Sequence, residues 1–327
     1  MRGRAAIIAR VLFKFASMLI TLVERLPRAL LLCMSPSLPA LRQIRYERYL
    51  RGFEDHRRIG RADAVVVSFG KSGRTWLRVM LSRFFGIRYG LPEKSLMGFD
   101  NLSRRHRSIP KLLFTHDNYL ADFTGEHAGK SDYVGNRVLL LVRDPADVAV
   151  SQYFQWRHRM KPRKKRINAY PAHGTEMEVA DFVLDEGGVL VRIVEFMNLW
   201  ASERERFGDA LMIVRYEDLR AEPEAWLAKV LEFLGTPGSP QEIEQAVAFA
   251  SVDNMRKMEL TRGFQGGGRR MRAGDEKNPD SYKVRRAKVG GYRDYFSADE
   301  LSRIDRIIDQ TLAPEFGYAR NADTTTS

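Results

Sequence analysis

The sequence has a single cysteine, Cys33, and only six histidines among its 327 residues. One cysteine excludes an internal disulfide and any metal site built from several cysteines, and it fits a reducing compartment. The histidines are scattered, and no two of them have the His-x-x-x-His spacing of a helical metal site. We therefore expect a mechanism that uses no metal ion.

Acidic residues are also in short supply, with 41 aspartates and glutamates against 54 lysines and arginines and a net charge of +13. This excess favours anionic partners such as nucleotides, nucleic acid, anionic lipid or acidic glycan. The middle of the chain lacks a linker rich in Pro, Gly and Ser, and the chain lacks a solenoid-type repeat. We expect one large α/β domain with an N-terminal appendage, because a chain of this length can bury a large core.

No stretch offers the roughly 20 uninterrupted apolar residues that a membrane-spanning helix needs. The apolar segment 5–32 is interrupted at steps of three and four, which places its polar residues on one narrow stripe of a helix. The pattern predicts an amphipathic helix with a basic edge that lies in the membrane interface. A helix docked on the protein's own core or on a second subunit is the alternative, and a cleaved signal peptide fits less well.

The most informative segment starts with the β-branched run 65–67, which is typical of a buried parallel strand. A loop with Gly70 and Gly73 follows, and residues 75–81 have the pattern of a helix start. In such a unit the loop N–H groups and the helix N-terminus point at one place, where Lys71 adds a positive charge. We expect a site for a phosphate or sulfate ester, with an ordinary strand–helix turn as the alternative.

This loop lacks one glycine of the Walker A pattern, Gly-x-x-x-x-Gly-Lys-Ser/Thr. Gly70, Lys71 and Ser72 match its end, but the first glycine would fall on Val65. The difference disfavours a nucleoside triphosphatase.

A second strand–turn–helix unit covers residues 137–151. Arg143 ends the predicted strand, and Pro145 suits the first position of the helix that follows. Ser151 lies two turns further along, so Arg143 and Ser151 can face the same groove. An Arg–Asp pair that caps the helix is the alternative.

Together the two units resemble the sulfotransferases that use 3′-phosphoadenosine 5′-phosphosulfate (PAPS). Residues 71–76, Lys-Ser-Gly-Arg-Thr-Trp, are similar to the family's 5′-phosphosulfate loop, and 143–151 are similar to its 3′-phosphate motif. Weaker matches follow in the family's order at 111–116, 216–219 and 285–296. The resemblance covers roughly residues 62–320.

The resemblance implies a P-loop-like three-layer α/β fold with a central, mostly parallel sheet between helices. It also implies in-line transfer of a sulfonate group from PAPS to a hydroxyl or amine. By the same resemblance, Lys71 stabilises the leaving group and His116 is the general base. The implied donor-binding residues are Ser72, Gly73, Arg74, Thr75, Trp76, Arg143, Ser151, Tyr216, Ser251, Arg285 and Arg286.

Two positions depart from the family's pattern in ways that affect the site. Phe114 stands where the family often has a lysine, and we expect Arg74 to supply the missing cation. Ala287 replaces the glycine of an Arg-Lys-Gly triplet, which makes the role of Arg286 less secure than that of Arg143.

We expect three segments: an amphipathic basic helical segment over 1–45, a sulfotransferase domain over 60–320 and a disordered tail over 321–327. The protein is expected to be cytoplasmic, with contact to the membrane face through residues 5–32. The expected acceptor is a small molecule, a lipid or a glycan, with no specific nucleic acid partner, and the oligomeric state stays open.

Several alternatives stay open at this point. The basic run 156–166 could bind an acidic acceptor or be a solvated loop, and the glycine-rich segment 262–272 could be a lid or merely flexible. The chain could instead be a P-loop kinase or nucleotidase that uses ATP and Mg²⁺. A non-catalytic basic protein that binds membrane or nucleic acid is the third possibility.

Overall fold

The computed structural model describes residues 39–261, 264, 274–275 and 277–320. The predicted helix over 5–32, the predicted tail and nearly all of 262–272 therefore lie outside the described residues. The described strands are β1 (Ala64–Val67), β2 (Leu112–Thr115), β3 (Arg137–Val142) and β4 (Leu211–Arg215). The described α-helices are α1 (Ala40–Ile59), α2 (Arg74–Arg88), α3 (Leu120–Thr124), α4 (Pro145–His158), α5 (Pro162–Ile167), α6 (Val179–Leu184), α7 (Val189–Ala201), α8 (Arg204–Phe207), α9 (Tyr216–Ala221), α10 (Pro223–Phe233), α11 (Pro240–Phe249), α12 (Val252–Leu260) and α13 (Ala298–Thr311).

The four strands form one parallel sheet in the order β2-β1-β3-β4. Val65 is paired with Leu113 on one side and with Val138 on the other. Every residue of β1 is buried, so helices cover both faces of the sheet there. These features confirm the predicted α/β class. Because the strands are parallel, their carboxyl ends meet at one edge, where ligands bind in such folds.

Strand β4 differs from its prediction. The pattern of residues 211–219 indicates a buried strand that ends in a turn, but only Val214 among the five residues of β4 is fully buried. Strand β4 lies at one end of the strand order and pairs only with β3 among the described strands. The predicted turn is instead the start of helix α9, which begins at Tyr216.

Helix α2 runs through the core of the sheet domain and packs against α11. Its apolar residues Leu77, Leu81 and Phe84 are fully buried and share one cluster with Ile243 and Ala246 of α11. Each large apolar side chain buried in this way contributes about 1.5–3 kcal/mol. This packing fixes the axis of α2 and therefore the position of its N-terminus at the carboxyl end of β1.

The chain divides into two compact units. The described part of the first unit comprises residues 39–57 and 119–125, in which Arg48 forms a 2.7 Å ion pair with Asp122. The second unit comprises residues 58–118 and 126 onward and contains the whole described sheet. All candidate site residues belong to the second unit. No helix within the described ranges has both the length and the apolar character to cross a membrane.

Candidate active site

The loop after β1 has an unusual backbone. Lys71 has a φ of 78°, a left-handed conformation that non-glycine residues rarely adopt, and Gly73 has a φ of 94°. Gly73 is the N-cap of α2 and has no side chain that could cover the helix end. The loop therefore presents Lys71 beside the positive end of the helix dipole.

Tyr216 joins the two predicted phosphate-binding units. A Cβ atom added to Gly73 would lie 2.6 Å from the Tyr216 ring, so the loop backbone packs directly on that ring. The guanidinium of Arg143 lies 4.5 Å from the centre of the same ring, and Trp76 meets it edge-on at 5.9 Å. The structure thus brings Gly73, Trp76, Arg143 and Tyr216 together at one edge of the sheet.

Arg143 is held by a carboxylate that the sequence did not single out. Its Nη2 donates to Asp147 Oδ2 and to the carbonyl oxygen of Lys288, both at 3.1 Å. Asp147 also accepts from the backbone N–H groups of Gly290 and Tyr292, at 2.9 and 3.0 Å. Asp147 therefore ties the C-terminal segment to the end of β3.

Ser151 and Asp144 lie on the same helix as Asp147. Ser151 is half-buried and follows Asp147 by four residues, which places both on one face of α4. Asp144 is the N-cap of α4, and its side chain accepts from Ala146 N at 2.9 Å and from Arg320 at 2.7 and 2.8 Å. The helix-capping alternative thus applies to Asp144, whereas Arg143 pairs with Asp147.

Trp76 and Ser251 are neighbours through the backbone. The indole Nε1 of Trp76 donates to the carbonyl oxygen of Ala250 at 2.8 Å, one residue before Ser251. Ser251 is exposed and is the N-cap of α12, where its hydroxyl accepts from Asn254 N at 3.4 Å. The structure therefore places Ser251 near Trp76, with its hydroxyl engaged in the helix cap.

The two C-terminal arginines, Arg285 and Arg286, differ in their burial and in their partners. The Arg285 guanidinium lies 3.7 Å from the centre of the Phe154 ring and donates to Asp280 and to the hydroxyl of Tyr295. Arg286 is exposed and pairs with Asp294 at 2.7 Å. Arg285 lies within electrostatic range of Lys71. Arg286 also donates to the hydroxyl of Tyr295, at 3.3 Å.

His116 follows β2 and is held at both ring nitrogens. Its Nδ1 lies 2.8 Å from the carbonyl oxygen of Ser68, which can only accept, so Nδ1 carries the proton. Its Nε2 lies 2.6 Å from Arg74 Nη2 and therefore accepts. Burial, and next the Arg74 guanidinium, hold the pKa of His116 well below its usual value. The imidazole is therefore neutral at pH 7.

Lys71 sits among cations. Burial of its ammonium group, followed by the charges of Arg159 and Arg143, lowers the pKa of Lys71 to about 7, and Glu259 opposes this shift. Like charges repel one another strongly in a low-dielectric site, and a bound anion offsets this repulsion. The loop thus has the electrostatic character of a site for a highly anionic ligand.

Sequence reasoning missed several cations of this site. Arg78 is buried, and its guanidinium lies 4.0 Å from the centre of the Phe114 ring. Arg74 and Arg78 are four residues apart and so share a helix face, which is the signal that could have revealed Arg78. Arg159 lies in the basic run 156–166, whereas Lys283 and the carboxylate of Glu259 gave no local signal.

The basic run 156–166 is partly helical and partly buried. Residues up to 158 belong to α4, and residues 162–166 belong to α5. Lys165 is 3% exposed, and its ammonium lies 4.7 Å from the centre of the Trp156 ring. The interpretation as a solvated loop is therefore wrong for Lys165.

A family model described as Sulfotransferase domain matches residues 134–315, which is more than half of the 327 residues. The chain belongs to this sulfotransferase family. The match includes Arg143, Ser151 and Tyr216 and begins after the Lys71 loop. The predicted family is thereby confirmed, and membership argues against the kinase and non-catalytic alternatives.

Relatives and solved structures agree with this membership. Flavonol 3-sulfotransferase of Flaveria bidentis is 23% identical over 271 residues, which cover 76% of this chain and 81% of the relative. Cytosolic sulfotransferase 10 of Arabidopsis thaliana is 27% identical over 282 residues, which cover 76% of this chain and 78% of the relative. The crystal structure of mouse sulfotransferase SULT7A1 complexed with PAP has a TM-score of 0.51 at 18% identity and covers 80% of this chain and 86% of its own. The crystal structure of retinol dehydratase in complex with retinol and PAP has a TM-score of 0.50 at 15% identity and covers 81% of this chain and 83% of its own. At these identities the structural neighbours show the shared fold.

Proposed function

We propose that the protein transfers a sulfonate group from PAPS to a hydroxyl or amine of an acceptor. One observation carries the proposal: Tyr216 contacts both the backbone of the Lys71 loop and the guanidinium of Arg143. The two phosphate-binding units are therefore close enough to hold opposite ends of one doubly phosphorylated adenosine. The mouse sulfotransferase and the retinol dehydratase structures that share the fold are complexes with PAP, adenosine 3′,5′-bisphosphate, which is what such a donor becomes when it has lost its sulfonate.

The described residues fit a donor of this charge. The depressed pKa of Lys71, about 7, reflects burial and an excess of neighbouring cations that bound phosphates would offset. Arg143 Nε is buried and has no hydrogen-bond partner among the described residues. Arg143 has the planar fork that suits a terminal phosphate. We assign the 3′-phosphate to Arg143 and Ser151, with Arg285 as a further cation.

The loop and the helix end would hold the other end of the donor. Ser72, Gly73, Arg74 and Thr75 would bind the 5′-phosphate through N–H groups and side chains. Trp76, Tyr216 and Ser251 would lie by the adenine. The role of Arg286 is the least supported, because its guanidinium pairs with Asp294.

When bound, PAPS supplies the sulfonate and an adenosine bisphosphate leaving group. Lys71 would stabilise the negative charge that develops on the bridging oxygen as the S–O bond breaks. His116 would take the acceptor proton at Nε2, the nitrogen that its hydrogen bond to Ser68 leaves unprotonated. Arg74 must then release Nε2 before the acceptor can bind there.

The acceptor is proposed only as a class. The amphipathic pattern of residues 5–32 supports a lipid or lipid-linked acceptor at a membrane face, and the basic residues after α4 equally support a glycan. Deletion of residues 1–35 should reduce sedimentation with anionic vesicles if the first proposal holds. Unchanged sedimentation would contradict it.

Thermal unfolding with ligands tests the donor. PAP at a hundredfold excess over its Kd should stabilise the protein by ~2.7 kcal/mol, whereas ATP with Mg²⁺ should give a smaller shift. Transfer of labelled sulfate from PAPS into extracted lipids and glycans then tests the reaction itself. A larger stabilisation by ATP with Mg²⁺ than by PAP would overturn the proposal.

A further inference from the structure

A buried carboxylate organises the chain segment that faces the Lys71 loop. Glu259, on α12, is 2% exposed. Its Oε1 accepts from Lys283 N at 2.6 Å and from Arg159 Nη1 at 2.9 Å, and its Oε2 accepts from Val284 N at 3.2 Å. Three donors thus fix one acid, and a buried charge is retained at low cost only when it is paired in this way.

Two arginines hold the same segment from its carbonyl side. Arg159 donates to the carbonyl oxygen of Ser281, and Arg256 donates to those of Val284, at 3.5 Å, and Arg285, at 2.9 Å. We call residues 281–285 the strap. Its backbone is therefore attached at both N–H and C=O groups to α12 and to the end of α4.

The strap lies directly against the loop that carries Lys71. Lys71 Nζ is 3.5 Å from the carbonyl oxygen of Lys283. The Lys283 side chain lies within electrostatic range of Lys71, Arg74 and Arg78, and it also acts on His116. The 3.5 Å approach of its carbonyl oxygen to Lys71 Nζ makes Lys283 a neighbour of the proposed leaving-group lysine. Arg143, which we assign to the 3′-phosphate, is at the other end of the proposed donor site.

Resting on the proposed function, we propose that Lys283 is a second cation for the transferring sulfonate, and that Glu259 is the positioning residue that holds it there. The charge of Lys283 would add to those of Arg74 and Arg78, the second of which lies 4.0 Å from the centre of the Phe114 ring. Burial and the charges of Lys71, Arg159, Arg78 and Arg74 lower the pKa of Lys283 well below its ordinary value. An anionic sulfonate beside it would favour its charged form.

The test compares two ligands that differ only in the sulfonate. PAPS carries it and PAP does not, so loss of a contact to the sulfonate changes the ratio of their dissociation constants. We expect Lys283→Met to weaken PAPS binding at least tenfold relative to PAP in calorimetric titrations, with PAP affinity within twofold of wild type. Lys283→Arg should restore most of the ratio. Lys257→Met, which removes an exposed lysine of α12, should leave both affinities unchanged.

Glu259→Gln tests the positioning role. A neutral amide cannot accept the three donors equally, so the strap should loosen and the ratio of the PAPS to the PAP dissociation constant should rise, as it does in Lys283→Met. Combined with Lys283→Met, the change should add little, because both act through one contact. A purely structural Glu259 would lower the unfolding temperature without changing the ratio, which would overturn its assigned role.

The outcomes separate this inference from the proposed function. If wild-type protein prefers PAP over ATP with Mg²⁺ but Lys283→Met leaves the ratio unchanged, or weakens both ligands equally, the role of Lys283 is refuted and the proposed function stands. If wild-type protein binds neither PAP nor PAPS, both are overturned.

Discussion

The guanidinium of Arg74 donates to Nε2 of His116 across 2.6 Å, on the ring nitrogen that our mechanism assigns to the base. Both side chains lie in the second compact unit, one at the start of α2 and the other at the end of β2. The pair keeps the imidazole neutral and aligned in the free protein. It also means that Arg74 must move to a phosphate or to the sulfonate before proton transfer.

Replacement of Arg74 by Thr should raise the pKa of His116, because a cation beside the ring is removed. We expect the turnover rate to fall and the acidic limb of the pH–rate profile to move to higher pH. NMR titration of the ring and the pH profile of kcat measure the two effects. The exposed-site variant Arg104→Gln is the control, and an unmoved His116 titration would refute the coupling.

His116→Ala should reduce turnover by ~10²–10⁴-fold, the range that a general base typically contributes. PAP affinity should stay within a few-fold of wild type, since we assign no donor contact to this ring. Single-turnover transfer from PAPS measures the loss of catalysis, and titration with PAP measures the donor affinity separately. Turnover at the wild-type rate would remove His116 from the mechanism.

Gly73→Ala should abolish tight PAP binding, because the added methyl would lie 2.6 Å from the Tyr216 ring at a backbone φ of 94°. Gly90→Ala is a matched control: Gly90 has a φ of 62°, but an added Cβ meets no atom within 4 Å. Each substitution carries a backbone cost of about 1–2 kcal/mol. Only Gly73→Ala should also lose PAP affinity, by more than tenfold in titrations. Equal losses in both variants would show that strain alone, and not the contact with Tyr216, is responsible.

PAP binding should take up a proton above neutral pH. Burial and nearby arginines lower the pKa of Lys71 to about 7, so a growing share of the amine is neutral as the pH rises through 7. A bound phosphate favours the ammonium form, and affinity should therefore fall with rising pH, by at most about tenfold per pH unit for one linked proton. Calorimetry in buffers of different ionisation enthalpy counts that proton. Lys71→Met should flatten the dependence, and an unaltered slope in that variant would contradict the assignment.

The sequence was most informative where chemistry is local. The strand at 65–67, the helix start after Gly73 and the placement of Pro145 at the first position of α4 all follow from short-range patterns, and the structure agrees with them. The contacts of Asp147 could not be found in that way, because Gly290 and Tyr292 lie more than 140 residues away along the chain.

The site residues also divide into those that the sequence pattern brings together and those that only distant contacts bring together. Arg143 and Tyr216 follow strands whose carboxyl ends meet, so parallel pairing brings them together. Glu259 and Lys283 are 24 residues apart along the chain, and no periodicity of the sequence links them. The partial exposure of β4 could not be predicted either, because a short apolar run does not show whether both faces of a strand are covered by other elements.

The carboxylate of Asp147 receives donors from Arg143 and from two backbone groups near the chain's C-terminal end. A protein shortened before Gly290 would keep every residue of the nucleotide loop, yet its Arg143 would rest on an acid stripped of two of its three partners. Boundaries chosen for expression must accordingly lie well beyond Tyr292.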